Sequence, residues 1–312
     1  MQNKILGLHH ITAFAAHAQR NYDFYTKVLG LRLIKKTVNF DDPGTYHFYF
    51  GNETGTPGTI LTFFPIEGIQ NGRAGTGMAT EIGYSVPKDS FEFWNNRFTE
   101  LKVKHQSPQE RFGELYLPFE DPDGLRLNLI VPNSDDSRKP WTTEKVKEDV
   151  ATKGFHSVVL TVRNAEQTAK ILTDIFGYKL LTQEGNKYRF VTDAVDSANF
   201  VDIIEEPQGE RGINAAGTNH HVAFRVKDDD ILMEFREKIK ENGFRITEKI
   251  DRNYFYSLYF REHNGILFEL ASDNPGFSVD ESVVELGTHL MLPSQYEPSR
   301  KKIEKVLPIF NQ

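Results

Sequence analysis

Hydrophobic and polar positions along the chain repeat in phase four times. Short alternating runs, the mark of a half-buried strand, begin at Leu8 (LHHITAF), Thr80 (TEIGYSV), Phe155 (FHSVVLTV) and Asn219 (NHHVAFRV). Each leads into a stretch with apolar residues at i, i+3 and i+4 spacing, which predicts an amphipathic helix. These stretches are NYDFYTKVLGLRL, SFEFWNNRFTELKV, AEQTAKILTDIFGYKL and ILMEFREKIKENGFRI. Three of them stop at a glycine followed by an apolar residue, Gly30, Gly177 and Gly243, as expected where a helix ends in a left-handed turn. Each unit closes with a strand-like run after a turn: GTILTFF, DGLRLNLIV, SANFVDIIE and NGILFELA. The period is about 65–75 residues, and each unit reads strand, helix, then two or three further strands.

Between the second and third units lies PNSDDSRKPWTTEKVKED (Pro132 to Asp149), a polar, proline-containing stretch that suits a domain connection. The expected organisation is an N-terminal domain at 1–135 with two units, a linker at 136–152, a C-terminal domain at 153–272 with two units, and a tail at 273–312. Within the tail, EPSRKKIEKVLP predicts a short helix from near Pro298 to before Pro308.

Composition narrows the function classes. A chain of 312 residues with 38% hydrophobic and 26% charged residues is ordinary for a soluble globular protein of about two domains. No apolar stretch approaches the ~20 residues that span a bilayer, and the opening MQNKILGLHHI lacks a signal-peptide core. The absence of cysteine excludes disulfides, thiolate metal sites and cysteine nucleophiles. A net charge of −7 without a long Lys/Arg run argues against a nucleic-acid partner. A cytoplasmic location and no membrane partner are the expectation.

Candidate chemistry concentrates in two His-His pairs, His9-His10 and His220-His221, each near the start of a unit's first strand, and in Glu269 within the apolar run GILFELA. Two imidazoles and one carboxylate leave coordination positions open on a divalent metal, an arrangement associated with non-haem Fe(II) oxygen chemistry. The remaining histidines, His17, His47, His105, His263 and His289, are expected to be packed or surface residues.

The repeat resembles the vicinal-oxygen-chelate superfamily, whose βαβββ modules pair into half-barrels around a metal. The resemblance implies an α+β fold with four such modules in two domains, curved and mostly antiparallel sheets, and helices outside. Ligands in that superfamily project from the first and last strands of paired modules. The first-strand positions here are His10, Glu81, Ser157 and His221, and the last-strand positions are Thr62, Asn128, Asp202 and Glu269. Only modules one and four together supply two imidazoles and a carboxylate, so one metal site is expected between the chain's ends, with the other cups structural. Side-chain alternation along a strand argues that His156 cannot replace Ser157.

A narrower resemblance is to the hydroquinone-cleaving dioxygenases of that superfamily. It rests on LHHITAF, TVNFDDPGTYHFYFG, TNHHVAFRV, DRNYFYSLYFRE, GILFELA, ELGTHLMLP and EPSRKKIEKVLP. It implies metal ligands His10, His221 and Glu269, and further site residues His9, Thr12, His220, Arg252 and Tyr259. It also implies Fe(II) or Mn(II) as cofactor, with a hydroquinone-like aromatic and O2 as substrates. On an ideal strand His9 and His220 point away from the ligands, so a bulge must re-aim them if they serve the pocket. Competing expectations are a catechol extradiol dioxygenase, which would want a histidine at Ser157, a glyoxalase-like enzyme, whose four-ligand set Thr62 breaks, and a non-enzymatic aromatic-binding protein. A homodimer is expected.

Overall fold

The computed structural model describes residues 4–312, so the first three residues of the opening stretch lie outside the described residues. The first unit runs β1 (Leu8–Ala15), α1 (Ala18–Asp23), β2 (Arg32–Asn39), β3 (Asp42–Gly51) and β4 (Ile60–Pro65). The second runs β5 (Met78–Ser85), α2 (Phe91–Glu100), β6 (Gln109–Arg111), β7 (Glu114–Glu120) and β8 (Arg126–Ile130). The third runs β9 (Phe155–Val162), α3 (Ala165–Lys170), β10 (Lys179–Glu184), β11 (Lys187–Val191) and β12 (Phe200–Glu205). The fourth runs β13 (Asn219–Val226), α4 (Asp229–Glu241), β14 (Ile250–Asp251), β15 (Phe255–Arg261) and β16 (Leu267–Pro275). In the tail, a 3-10 turn at Glu297–Ser299 leads into α5 (Arg300–Val306), where EPSRKKIEKVLP predicts a helix.

Local signals account for these elements. Asn164 and Asp228 cap α3 and α4 by accepting the backbone N–H of Gln167 and Ile231. In units one and three the helix widens into a π-helical turn, Phe24–Val28 and Ile171–Ile175, which the apolar spacing does not foretell. The glycines after the first, third and fourth helices take φ of +72°, +80° and +84°, the left-handed region that a Cβ disfavours.

The strands form two curled eight-stranded sheets, ordered β14-β15-β16-β13-β1-β4-β3-β2 and β10-β11-β12-β9-β5-β8-β7-β6. The first sheet joins units one and four; the second joins units two and three. In each, the two units meet through antiparallel first strands, β1 with β13 and β5 with β9. Each first strand pairs in parallel with the last strand of its own unit. Alternation sorts the faces. On β1, β13 and β16 the residues Ile11, Ala13, Val222, Phe224, Phe268 and Leu270 join the main apolar core with the helices. Their neighbours Ala223 and Ala271 belong to a smaller cluster inside the cup, with Ile34, Tyr49, Ile60 and Phe255.

The junctions of the two sheets share a register. Thr12 faces His221 and His10 faces Ala223 in the first; Gly83 faces Ser157 and Glu81 faces Val159 in the second. Both carry bulges, at His9 and His220 in the first and at Thr80 and His156 in the second, where two residues oppose one. The bulge at His156 corrects the argument from ideal alternation. The His156 ring reaches Glu114, with Nε2 3.2 Å from Oε2, and Glu114 lines the small second cup. A local bulge supplies what a whole-strand register slip would otherwise be needed for.

Charged side chains pair across that second cup, and a cavity of about 290 Å³ remains beside Glu81, Arg111 and Asn128. Arg189 faces Asp202 across β11 and β12, donates to both its oxygens at 2.8 Å, and also donates to Glu114. Arg111 donates to Glu81 at 2.8 Å, as does Asn128. A guanidinium thus supplies the positive charge that the buried carboxylates require.

The linker and tail brace this assembly. Arg138 donates to the carbonyls of Gly58 and Phe155 at 3.2 and 2.8 Å. The fully buried Lys35 ammonium donates to Asp280 and Glu281 of the tail at 2.6 and 2.5 Å. No helix among the described residues is long and apolar enough to cross a membrane.

Removing the Arg189 charge strands two buried carboxylates, so Arg189→Ala is expected to cost ~3–5 kcal/mol of stability in urea unfolding; a loss below 1 kcal/mol refutes this account of the cup. Burial alone would raise the Glu114 pKa, but His156 and Arg189 outweigh it and hold it at about 2 rather than 4.5. The folded pKa lies below the unfolded one, so this stabilisation is complete above pH 4.5 and fades as the pH falls towards 2. Glu114→Gln should remove that component from the pH dependence of the unfolding midpoint.

Candidate metal centre

Three strands of the first sheet aim their side chains at one point. β1 carries His10, β13 carries His221 and β16 carries Glu269. His221 Nε2 lies 2.8 Å from Glu269 Oε2, His10 Nε2 lies 3.2 Å from the same oxygen, and the two Nε2 atoms are 3.4 Å apart. All three residues are buried, Glu269 completely, and they form a compact group of metal-ligating type with donor atoms within 4.8 Å of one another. Glu269 Oε2 makes no hydrogen bond despite these short approaches, while Ser257 donates to the other oxygen, Oε1. Two imidazole nitrogens and a carboxylate oxygen with no hydrogen bond therefore converge, an arrangement that suits a cation.

The bulges explain the neighbouring histidines. His9 Nδ1 lies 2.9 Å from His10 Nδ1, and His220 Nδ1 lies 2.8 Å from His221 Nδ1. With His10 and His221 donating their Nδ1–H to His9 and His220, their Nε2 atoms are left free to ligate; such backing fixes ring orientation and tautomer. His9 also hydrogen-bonds the main chain of Ser272 and is tucked behind Phe255, with ring centroids 5.2 Å apart. Only His220 of this outer pair lines the cavity. Burial, reinforced by its histidine neighbour, pushes the His9 pKa well down and that of His220 to about 3. Burial likewise lowers that of His221. Burial opposes ionisation of Glu269, but the adjoining His10 and His221 outweigh it and keep the carboxyl well below its usual range.

The group opens on a cavity of about 420 Å³ walled by Phe14, Phe40, Phe64, Phe255 and Leu267. Tyr259 faces Glu269 across β15 and β16, as the short REHNG turn between their strands requires. Arg252 Nε donates to the Tyr259 hydroxyl at 3.3 Å, and its NH groups reach Asp41 at 3.4 Å. Burial raises the Tyr259 pKa, so the phenol stays protonated at neutral pH. Burial disfavours the charge on Arg252, but Tyr259, Asp41 and Glu269 more than restore it.

Of the residues expected at the site, His10, His220, His221, Arg252 and Tyr259 line this cavity, and Glu269 sits behind it against the two imidazoles. His9 and Thr12 stand behind it. Thr12 Oγ1 is 2.8 Å from Thr62 Oγ1, and Thr62 is further engaged by His47 Nε2 at 2.8 Å. Expected to be an incidental histidine, His47 instead lines the cavity beside Tyr49. Both project from β3 with the alternation of TYHFYFG, while Tyr46, Phe48 and Phe50 fill the main core. That alternation is the signal that could have found them. His17, His263 and His289 are exposed and His105 half-buried, as expected.

Comparison with known proteins agrees with this architecture. The profile described as "Glyoxalase/Bleomycin resistance protein/Dioxygenase superfamily" matches residues 7–129 and 154–270, one match for each half of the chain. MhqO of Bacillus subtilis (strain 168), named as a candidate ring-cleaving dioxygenase, is 47% identical over 307 residues, covering 98% of this chain and 97% of that protein. A chlorohydroquinone/hydroquinone 1,2-dioxygenase of Sphingobium indicum is 32% identical over 313 residues, covering 98% and 97%. The crystal structure of a candidate dioxygenase from Bacillus subtilis superposes with a TM-score of 0.95 at 45% identity, covering 99% of both chains. Glyoxalase I of Zea mays shares the fold at a TM-score of 0.64 and 18% identity, covering 86% of this chain and 92% of that one. Four modules in two sheets, the His-His-Glu group at one junction and matches across both halves agree: the chain belongs to the glyoxalase/bleomycin resistance protein/dioxygenase superfamily.

Proposed function

We propose that the protein is a metal-dependent dioxygenase that opens the ring of hydroquinone-type aromatics beside a hydroxylated carbon, with O2 as co-substrate and Fe(II) as its metal. The observation that carries this reading is the buried His10–His221–Glu269 group, with its unbridged Oε2, opening on an aromatic-walled cavity. The names of the relatives in Bacillus and Sphingobium support the same chemistry. Nitrogen and carboxylate donors also suit Mn(II). Thr62, which stands where a fourth ligand would come from, is occupied by Thr12 and His47; this favours three protein ligands over the four of a glyoxalase-like site. Ser157, where a catechol enzyme would want histidine, lies in the other cup beside Arg189.

His10, His221 and Glu269 would hold the metal. When bound, it brings the substrate oxygen and dioxygen together and lets electrons pass from ring to oxygen. The protein's own groups do the rest. Phe14, Phe64, Phe255 and Leu267 take the ring out of water. Arg252 supplies a permanent charge against which a substrate hydroxyl can ionise. Tyr259, held by Arg252, keeps its proton and can donate it to an oxygen that gains charge. His220 uses Nδ1 towards His221, leaving Nε2 for a hydrogen bond into the cavity.

His221→Ala should purify folded but without bound iron, and should give no ring-opened product from methylhydroquinone; iron content and wild-type rates in that variant would sink the assignment. Arg252→Met should lower kcat/KM by roughly 10²-fold while iron content holds, as read by oxygen uptake beside elemental analysis. Wild-type protein should open hydroquinone and leave catechol intact under the same aerobic assay; the reverse preference overturns the substrate class.

A further inference from the structure

Four side chains on three adjacent strands make one hydrogen-bonded row beside the metal centre. Thr12 on β1 lies 2.8 Å from Thr62 on β4, Thr62 lies 2.8 Å from His47 Nε2 on β3, and His47 Nδ1 lies 2.9 Å from the Tyr49 hydroxyl. All four are buried, yet only His47 and Tyr49 line the cavity. The Tyr49 ring is fixed by His47 at 4.1 Å and by Phe277 at 5.2 Å between centroids. A buried row this complete costs ordering and desolvation, which it recovers only if every member is satisfied.

Its polarity is collective. A neutral imidazole has one N–H, so His47 donates at one end and accepts at the other. If Tyr49 donates to Nδ1, then Nε2–H donates to Thr62 and Thr62 donates to Thr12. The Tyr49 oxygen then keeps a lone pair for the cavity. Reversed, Thr12 donates to Thr62, Thr62 to Nε2 and Nδ1–H to Tyr49, whose own O–H is free to donate. The row therefore offers the cavity one hydrogen-bonding position that serves as donor or acceptor. A hydroxyl group matches it in both states; a carboxylate or halogen can only accept.

Placement selects which hydroxyl. β3 is two strands from β1 in the sheet order, so the Tyr49 and His10 backbones are about 10 Å apart across the sheet. A ring bound through one oxygen near His10 and His221 would carry a para hydroxyl away from them, into a cavity where an unpaired polar group is costly. The second cup supplies a contrast. Tyr49 faces Thr62 in the first sheet as Pro118 faces Asn128 in the second. Proline cannot form such a row, and Tyr116, the counterpart of His47, turns to Gln109. The row exists only in the cup that carries the His-His-Glu group.

We propose that Tyr49 hydrogen-bonds the substrate hydroxyl that the metal does not hold, and that His47, Thr62 and Thr12 position it for this. The proposal rests on the aromatic-diol reading above and names the contact that distinguishes a para-diol from a monophenol. Anaerobic titration of the iron-loaded protein with hydroquinone and with phenol tests it without turnover. Tyr49→Phe should weaken hydroquinone binding by about two- to tenfold and leave phenol binding unchanged. Thr62→Val, which breaks the row while Tyr49 stays, should lower the hydroquinone-to-phenol affinity ratio in the same direction. Unchanged hydroquinone binding in Tyr49→Phe, or equal weakening of both ligands, overturns the proposal while the dioxygenase reading stands. A wild-type protein that forms no ring-opened product in air defeats that reading itself, and the Tyr49 assignment with it.

Discussion

The antiparallel pairing of β1 with β13 is the constraint on which the rest depends. It joins the first unit of the chain to the last, sets Thr12 opposite His221, and so brings His10 and His221 together against one carboxylate oxygen. Neither half of the chain holds a ligand set alone. The parallel pairing of β13 with β16 then places Glu269 beside them, opposite Ala223. Because alternation is strict away from bulges, a one-residue slip in this pairing would turn the His-His-Glu group into the apolar core. The same packing that buries Ile11, Val222 and Phe268 on one face therefore secures the site on the other.

Duplicated cups meet one electrostatic problem in two ways. Each holds a buried carboxylate at the same strand position, Glu269 or Asp202, and a buried anion without a counter-charge is expensive. At Asp202 the cross-strand partner is Arg189, whose guanidinium donates to both its oxygens. At Glu269 the cross-strand partner is Tyr259, which brings no charge, and the imidazoles of His10 and His221 are its nearest partners. The first cup thus brings imidazoles to its carboxylate, while in the second a guanidinium already pairs with it. One architecture yields a guanidinium-paired junction and a His-His-Glu junction through the substitution of a few inward-facing residues.

Much of this was legible in the residues themselves. Four in-phase units, their helix-ending glycines and the tail helix all follow from periodicity and turn chemistry, and the structure reproduces them within a few residues. The grouping of His10, His221 and Glu269 follows from comparing equivalent positions across the repeat. His47 and Tyr49 escaped because β3 is aromatic on both faces, so its inward residues do not stand out from its core residues. The position of His156 escaped for another reason, while those of His9 and His220 were conditional on a bulge that the pairing supplies. A bulge is a local two-against-one mismatch between strands, and it is not written in either strand alone.

The sequence by itself determined the unit, its fourfold repetition and the chemical character of each position, because alternation and helical spacing are properties of a chain segment and its solvent. Only the tertiary structure decided which units share a sheet, where register breaks, and which buried polar groups complete one another. Those outcomes depend on pairings between residues some 200 positions apart, such as Thr12 with His221, whose energies exist only once the strands have met.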